Sequence, residues 1–176
     1  MHFLEYYYNN VIKFDLINRF NYKNLKNIPK LEKIVLNFGC KTFELKKLSL
    51  SLLSLQLITD KKGILTVSKK PNIVLKIRKG NPVGCKVILT KNLMYLFFAK
   101  LLIEILPKLK KKILMKKLLS NDALTYNFDN TFIFKEVEKN YLLFNTLKHL
   151  QITILTTSKT TKELSFLFNS FKTFLI

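Results

Sequence analysis

The sequence predicts one α+β domain, in which helices and strands interleave along the chain. Apolar residues recur at helical spacing in some segments, and in others they alternate with polar residues or form short runs. The 176 residues are enough for a single domain with a sizeable core, and no repeat or linker divides them. A hydrophobic fraction of 48% argues against disorder, so we expect residues 1–176 to fold as one unit.

The helical segments are predicted from apolar stripes that recur every three to four residues. Asn92 is the expected N-cap of the third helix, and Pro107 is expected to break that helix. The predicted helices span Leu4–Phe20, Phe43–Ile58, Leu93–Leu106 and Ser158–Phe171.

The strands are predicted from short apolar or alternating runs bounded by turn residues. Asp129 and Asn130 are expected to form the turn between the fourth and fifth of them. The predicted strands are Leu31–Phe38, Ile64–Val67, Lys86–Thr90, Thr125–Phe128, Thr131–Phe134 and Gln151–Thr157.

The net charge indicates a polyanionic partner. Lys and Arg total 31 against 11 acidic residues, which gives +20 at pH 7. A compact fold of that charge repels itself, and nucleic acid is the commonest counter-polyanion. The alternative is a peripheral membrane protein that uses basic amphipathic helices such as Ile103–Leu118. The longest apolar run, Leu48–Ile58, is shorter than the roughly 20 residues that span a bilayer, so no membrane insertion is expected.

No enzyme or metal site is predicted. The sequence lacks nucleophile, phosphate-loop and zinc-protease motifs, and the two cysteines and two histidines lack ligand spacing. We therefore expect no catalytic residue, no metal and no cofactor, and we expect two inert thiols in a reduced compartment. Four glutamates lie among lysines and are interpreted as members of surface ion pairs: Glu32, Glu104, Glu136 and Glu138.

Turn residues and positive charge are concentrated between Ser68 and Val87. The chain has four glycines and four prolines, yet Gly80, Pro82 and Gly84 lie within five residues. The segment lacks a core pattern, which favours either an RNA-contacting loop or an ordinary hairpin with a polar tip. Its cations are Lys69, Lys70, Lys76, Arg78 and Lys79.

A second lysine-rich segment, Lys108–Lys117, has two interpretations. It predicts either a helix that contacts phosphates or a helix with a solvated lysine face and an inward apolar side.

Four blocks of sequence resemble the bacterial-type universal ribosomal protein five of the large subunit. They are "FNYKNLKNIPKLEKIVLNFG" from Phe20, "KIRKGNPVGCKVIL" from Lys76, "FFAKLLIEILPKLK" from Phe97 and "QITILTTSKTTKELSFLFNSF" from Gln151. The second block is the most specific, and together the blocks cover almost the whole chain.

The resemblance implies a fold and a set of partners. The fold is an antiparallel sheet with helices packed on one side and a long basic loop, Lys69–Gly84, that projects from it. The implied partners are 5S rRNA where the ribosome retains it, large-subunit rRNA, neighbouring large-subunit proteins and a small-subunit head protein across a bridge. The loop is expected to contact the transfer RNA in the peptidyl site.

The resemblance also implies site residues. Asn37 stands where the family has an RNA-facing asparagine, and Lys61 stands in the turn where the family usually has glutamine. We expect RNA contacts at Asn37, Lys61, Lys86, Lys108, Lys110 and Lys111. The loop contacts are expected at Lys69, Lys70, Lys76, Arg78, Lys79, Gly80, Pro82 and Gly84.

This chain departs from the family pattern at some positions. Val74 replaces a glycine, Pro71 a serine and Ile88 a threonine, and a Gly-rich loop is replaced by the lysine-rich Lys108–Asp122. The abundant amino acids of this chain are those that have AT-rich codons, as is typical of proteins encoded in organelle genomes. We therefore expect a mitochondrial ribosomal protein encoded in the organelle, with a plastid or an endosymbiont as the alternatives.

Overall fold

The computed structural model describes residues 2–40, 44–108 and 115–171, with the backbone alone for residues 115–119. Its α-helices are α1 (Phe3–Tyr7), α2 (Lys13–Arg19), α3 (Leu45–Thr59), α4 (Lys91–Lys100), α5 (Lys135–Glu138), α6 (Tyr141–Phe144) and α7 (Thr161–Ser170). Its strands are β1 (Leu31–Gly39), β2 (Ile64–Val67), β3 (Pro82–Leu89), β4 (Met115–Leu119), β5 (Ala123–Asn130) and β6 (Lys148–Thr156).

Two π-helical turns continue the α-helices. Tyr8–Ile12 joins α1 to α2, so one helical path runs where Leu4–Phe20 was predicted. Leu101–Ile105 continues α4, and a 3-10 turn, Leu106–Lys108, ends that path around Pro107. The prediction of Asn92 as N-cap is wrong, because α4 begins at Lys91 and its N-cap is Thr90.

The six strands form one antiparallel sheet in the order β2-β3-β1-β6-β5-β4. The last strand along the chain, β6, lies between β1 and β5. It therefore pairs the C-terminal part of the chain with the N-terminal strand β1. Leu36 of β1 lies opposite Val87 of β3 and Ile152 of β6, which fixes the register at the centre of the sheet.

The helices cover one face of this sheet. In β1, Leu36 and Phe38 are buried, whereas Val35 and Asn37 between them are half-buried. Because side chains alternate along a strand, the two sets point to opposite faces. The buried set shares one core with buried apolar residues of α4, such as Phe98, and of α7 and the N-terminal helical path. The predicted antiparallel sheet with helices on one side is confirmed, and its other face is open.

The prediction of a strand over Thr131–Phe134 is wrong. Thr131–Ile133 form a 3-10 turn, because Asn130 Oδ1 accepts a hydrogen bond from the Phe132 amide at 2.9 Å and caps the turn. The buried Thr131 hydroxyl donates to the Leu147 carbonyl at 3.3 Å, which directs the chain toward the core. The predicted turn residues Asp129 and Asn130 end β5 instead.

The prediction of a helix over Lys108–Lys117 is also wrong for the C-terminal part of that segment. Met115–Leu119 form β4, which pairs with β5 from Met115 opposite Phe128 to Leu119 opposite Leu124. A single basic amphipathic helix over Ile103–Leu118 is therefore excluded. Residues 109–114 lie outside the described ranges. Among the described residues, no helix has the length and apolar character needed to cross a membrane.

Candidate nucleic-acid interface

A row of polar side chains crosses the open face of the sheet. Asn37 of β1 lies opposite Lys86 of β3 on one side and opposite Gln151 of β6 on the other. Gln151 in turn lies opposite Asn127 of β5. We call Lys86, Asn37, Gln151 and Asn127 the open-face row. The backbone register continues the row to Lys116 of β4.

The side chains of the open-face row have no partner within the part of the chain that the structure describes. No hydrogen bond or ion pair engages the three amides or the Lys86 ammonium, although all four side chains are half-buried. A carboxamide has two donor hydrogens and an acceptor oxygen, and leaving such groups unpaired under a ligand is unfavourable. The row is therefore suited to an external polar ligand that supplies matched donors and acceptors.

The neighbouring row has a different character. Ile88, Val35, Thr153 and Thr125 lie side by side on β3, β1, β6 and β5. The Thr125 and Thr153 hydroxyls are 3.2 Å apart and bond to each other. Two of these four side chains are apolar and the two threonine hydroxyls bond to each other, so this row offers fewer free polar groups than the open-face row.

Lys61 lies at the margin of the open face and has an internal partner. Its ammonium donates to the Ile88 carbonyl at 2.7 Å. This carbonyl lies on the part of β3 beyond Ile64, where β2 begins. One of the three ammonium hydrogens of Lys61 is thereby used inside the protein, and two remain for another ligand.

The basic segment between β2 and β3 is an extension of their hairpin. The Ser68 amide donates to the Asn81 carbonyl at 2.9 Å, and the Gly80 amide returns a bond of 2.9 Å to Ser68. Farther out, Asn72 and Ile77 exchange two backbone hydrogen bonds and form an isolated bridge. The segment between Ser68 and Val87 is therefore ordered by its own backbone.

The glycines in this segment have separate functions. Gly80 has φ +88°, a backbone conformation that side-chain-bearing residues rarely adopt. A Cβ on Gly84 would lie 2.5 Å from the Phe38 carbonyl oxygen and 2.9 Å from Thr66 Oγ1, so Gly84 permits β1 and β3 to approach. Pro82 begins β3 opposite Val67, where the register shifts, and no ladder donor is needed from it.

The cations of the hairpin extension are free. Across the described residues, none of the five takes part in an ion pair, and each side chain is exposed: Lys69, Lys70, Lys76, Arg78 and Lys79. At the tip, Ile73 is 93% exposed and Val74 is 89% exposed. The extension therefore presents an apolar tip with cations on both sides of it.

Of the remaining predicted RNA contacts, the structure describes only Lys108, which lies on the helical path and not in the open-face row. Lys108 lies at the end of the α4 helical path, where its ammonium donates to the Ile133 carbonyl at 3.4 Å. Lys110 and Lys111 lie outside the described residues. Sequence reasoning missed Gln151 and Asn127, although both occupy polar positions in alternating strands.

Several acidic side chains of the described chain form ion pairs with lysines. Glu32 pairs with Lys33 at 3.2 Å, and Glu104 pairs with Lys135 at 3.3 Å, as predicted. The prediction is wrong for Glu138, which is exposed and forms no ion pair with any described residue. Within the described ranges, no group of three or more metal-ligating side chains occurs. His149 Nδ1 lies 2.9 Å from an Asp129 oxygen, and both side chains are exposed.

One ion pair is partly buried. Glu136 pairs with Lys100 at 2.7 Å, as expected for a glutamate among lysines. Burial alone would raise the pKa of the Glu136 carboxyl, but the hydrogen bond and charge of Lys100 hold that pKa below its usual value.

Comparison with known proteins shows the family of the chain. The family model for the C-terminus of the ribosomal L5 family matches residues 82–174. The chain is 37% identical to the large ribosomal subunit protein uL5m of Reclinomonas americana, over 98% of this chain and 97% of that protein. It is 35% identical to the large ribosomal subunit protein uL5 of Wigglesworthia glossinidia brevipalpis, over 93% of this chain and 92% of that protein. The chain therefore belongs to the uL5 family of ribosomal proteins, which are structural and not enzymatic.

Proposed function

We propose that this protein is a structural constituent of the large ribosomal subunit whose open-face row binds 5S rRNA. The observation that carries the proposal is the line of four adjacent polar side chains that have no partner among the described residues. Amides recognise base edges and 2′-hydroxyls, and a lysine contacts a phosphate. The net charge of +20 supplies long-range attraction to the same ligand.

The affinity of this interface is expected to depend steeply on salt. On the scale of duplex DNA, a protein with about six to ten phosphate contacts loses roughly three to five decades of affinity between 50 and 200 mM salt. A nearly flat salt titration of 5S rRNA binding would contradict the electrostatic contribution.

Substitution of the open-face row tests the site. We expect Asn37→Ala and Gln151→Ala each to weaken binding by about 1–3 kcal/mol, because each removes hydrogen bonds that the bound RNA would otherwise satisfy. Asn10→Ala is the matched control, since Asn10 is an exposed asparagine on the N-terminal helical path. Filter binding to 5S rRNA measures the effect, and circular dichroism checks the fold. Equal affinities for all the proteins would remove the row from the interface.

We propose further that the hairpin extension contacts the transfer RNA in the peptidyl site. The support is its five exposed cations, which form no ion pair with any residue that the structure describes, on a hairpin that is closed by backbone hydrogen bonds. Replacing four of them is expected to leave folding and subunit incorporation intact, with stability changes within about 0.5 kcal/mol each. The replaced residues are Lys69, Lys70, Lys76 and Arg78.

The measurements for this variant are its occupancy in purified large subunits and the affinity of those subunits for peptidyl-site transfer RNA. A control variant removes four exposed lysines from outside the extension: Lys23, Lys26, Lys62 and Lys139. We expect weakened transfer-RNA binding at normal occupancy for the first variant and not for the control. Failed incorporation, or unaltered transfer-RNA binding, would assign the extension another function.

We propose that the protein acts in a mitochondrial ribosome and is encoded in the organelle. The abundance of amino acids that have AT-rich codons and the 37% identity to a protein named uL5m support this, while the similarity to a bacterial uL5 keeps plastid and endosymbiont ribosomes as alternatives. Sedimentation of detergent-treated mitochondria tests it. Cofractionation with large subunits supports the proposal, whereas partition into the lipid fraction favours a peripheral membrane protein.

The remaining proposed partners are large-subunit rRNA, neighbouring large-subunit proteins and a small-subunit head protein across a bridge. Sequencing of RNA crosslinked to the native protein identifies the RNA partners and shows whether 5S rRNA is among them. Protein crosslinking in intact ribosomes identifies the others, and the absence of any small-subunit crosslink would contradict the bridge.

A further inference from the structure

An apolar groove lies in the helix layer, where α1 meets the C-terminal end of α7. It has a volume of about 250 Å³ and is open to solvent. We call it the α1–α7 groove, and it is lined by Phe3, Leu4, Tyr7, Ser170 and Phe171. None of these side chains carries a charge, although the net charge of the chain is +20. The lining therefore offers a phosphate backbone no cation, and it is suited to an apolar ligand.

The aromatic side of the groove is left uncovered by the described residues. The Phe3 and Tyr7 rings are stacked with 6.4 Å between their centres, yet Phe3 is 73% exposed. Among the described residues, α1 contributes no buried side chain, although Leu4 and Tyr7 are partly buried against the core. Uncovered aromatic surface beside an apolar groove is typical of a docking site.

The opposite side of the groove is the point at which α7 ends. The Phe171 amide donates to the Leu167 carbonyl at 3.2 Å and closes the last turn of the helix. The buried Phe171 ring packs edge-on against Phe98, with 5.3 Å between the ring centres. The Ser170 hydroxyl donates to the Phe166 carbonyl at 2.9 Å, so its hydrogen is already used inside the helix. The chain thus leaves α7 from a firmly packed residue that itself lines the groove.

The segment that follows Phe171 has a matching composition. Residues 172–176 read Lys-Thr-Phe-Leu-Ile, and we call them the post-α7 segment. Five extended residues span up to about 17 Å, which exceeds the diameter of about 10–12 Å of a helix with its side chains. Because the segment is joined covalently to one side of the groove, its effective concentration there is on the order of millimolar. This favours the segment over a separate molecule as the occupant of the groove.

We propose that the post-α7 segment docks in the α1–α7 groove and holds the first helix against the last one. Phe174 is the principal anchor, because packing of its ring against Phe3 and Tyr7 adds an aromatic contact to the apolar area that is buried. The contact is internal to the protein and needs no RNA, so it goes beyond the proposed function and does not depend on it.

A tryptophan in place of Phe174 tests the inference, because the chain contains no tryptophan of its own. The full chain carrying Phe174→Trp is compared with Ile73→Trp, whose position on the hairpin extension is 93% exposed. We expect the tryptophan at position 174 to emit at shorter wavelength and to be quenched less by acrylamide. Emission and quenching equal to those of Ile73→Trp would overturn the inference.

Removal of one side of the groove shows whether the tryptophan is buried there. Added to Phe174→Trp, the change Phe3→Ala is expected to lower the ratio of docked to undocked segment about tenfold or more, because an aromatic contact is lost. The acrylamide quenching constant should therefore rise toward that of Ile73→Trp. Since Phe3 is largely exposed, the fold is expected to persist, and circular dichroism checks this.

The matched control is Phe14→Ala in the same Phe174→Trp background. Phe14 is another exposed phenylalanine of the N-terminal helical path, and it lies outside the groove. It is expected to leave the quenching constant unchanged. Equal quenching constants for the Phe3→Ala and Phe14→Ala proteins would show that the segment is buried elsewhere, and the inference would be wrong.

Docking of the segment on a second copy of the chain is a separate outcome of the same design. An internal contact gives the same quenching constant at all protein concentrations. If the tryptophan at position 174 is protected from acrylamide only as the protein concentration rises, the segment of one molecule occupies the groove of another, and the inference is likewise wrong.

Discussion

Gly84→Ala perturbs the closest approach in the sheet. The new Cβ would lie 2.5 Å from the Phe38 carbonyl oxygen, which belongs to the backbone of β1 and cannot rotate away. β1 and β3 must therefore separate at this point. Gly84 is two residues from Lys86, and Phe38 is adjacent to Asn37, so the open-face row is displaced as well.

The expected loss of stability follows from two opposing contributions. Overpacking of this kind costs about 1–3 kcal/mol. Replacing glycine by alanine also stabilises by about 0.4–1 kcal/mol, because the unfolded chain loses conformational freedom. Gly39 lies directly opposite Gly84 in the sheet, and a Cβ there meets nothing within 4 Å. Gly39→Ala is therefore the matched control, and the difference between the two variants isolates the clash at about 1–3 kcal/mol.

Thermal and urea unfolding of both variants measure this difference. For a chain of this size, 1 kcal/mol corresponds to about 2–4 °C in Tm, so Gly84→Ala should melt roughly 2–12 °C below Gly39→Ala. We also expect weaker 5S rRNA binding for Gly84→Ala. Equal stability of the two variants would refute the argument that close strand approach requires glycine at position 84.

Three further outcomes follow from individual contacts. Iodoacetamide at pH 8 should modify Cys40 well before the buried Cys85. Burial raises the pKa of the Cys85 thiol to about 11, so only about a thousandth of this thiol is ionised at pH 8. Equal modification rates in the native protein would contradict this. Thr160→Ala should lower the urea-unfolding free energy by about 1 kcal/mol through loss of the capping box, and no change would discount the cap. Glu136→Gln should flatten the acid side of the curve of unfolding free energy against pH. The Glu136 carboxyl has a lower pKa in the folded protein than in the unfolded chain, where it is about 4.3. The ion pair therefore contributes stability above the unfolded pKa, and this stability is lost as the pH falls through the folded pKa. An unchanged profile in urea unfolding at pH 3 and pH 6 would discount the Lys100 pair.

Local patterns were sufficient to predict most elements. β1 and β6 alternate strictly between buried and half-buried positions over most of their length, and α7 has its apolar stripe, so each was predicted within a few residues. The segment Thr131–Phe134 was mispredicted because its β-branched and aromatic residues favour a strand locally. The cap from Asn130 and the contact of Thr131 with Leu147 are features that override this preference.

The candidate sites depend on contacts between distant parts of the sequence. Asn37 was predicted from family resemblance, but Gln151 and Asn127 become its neighbours only because β6 lies between β1 and β5. No local pattern specifies that strand order. The α1–α7 groove likewise combines Phe3 from the first helix with Phe171 at the end of the last helix, so neither residue alone indicates a site.

The bond from Lys61 to the Ile88 carbonyl has a consequence for the edge of the sheet. β2 begins at Ile64 and leaves this carbonyl of β3 without a strand partner, at a place where another chain could add a strand. A charged side chain on such an acceptor blocks edge-to-edge pairing, as lysines do on many natural sheets. We therefore expect Lys61 to hinder the addition of a foreign strand at this one carbonyl, whether or not a nucleic acid is bound.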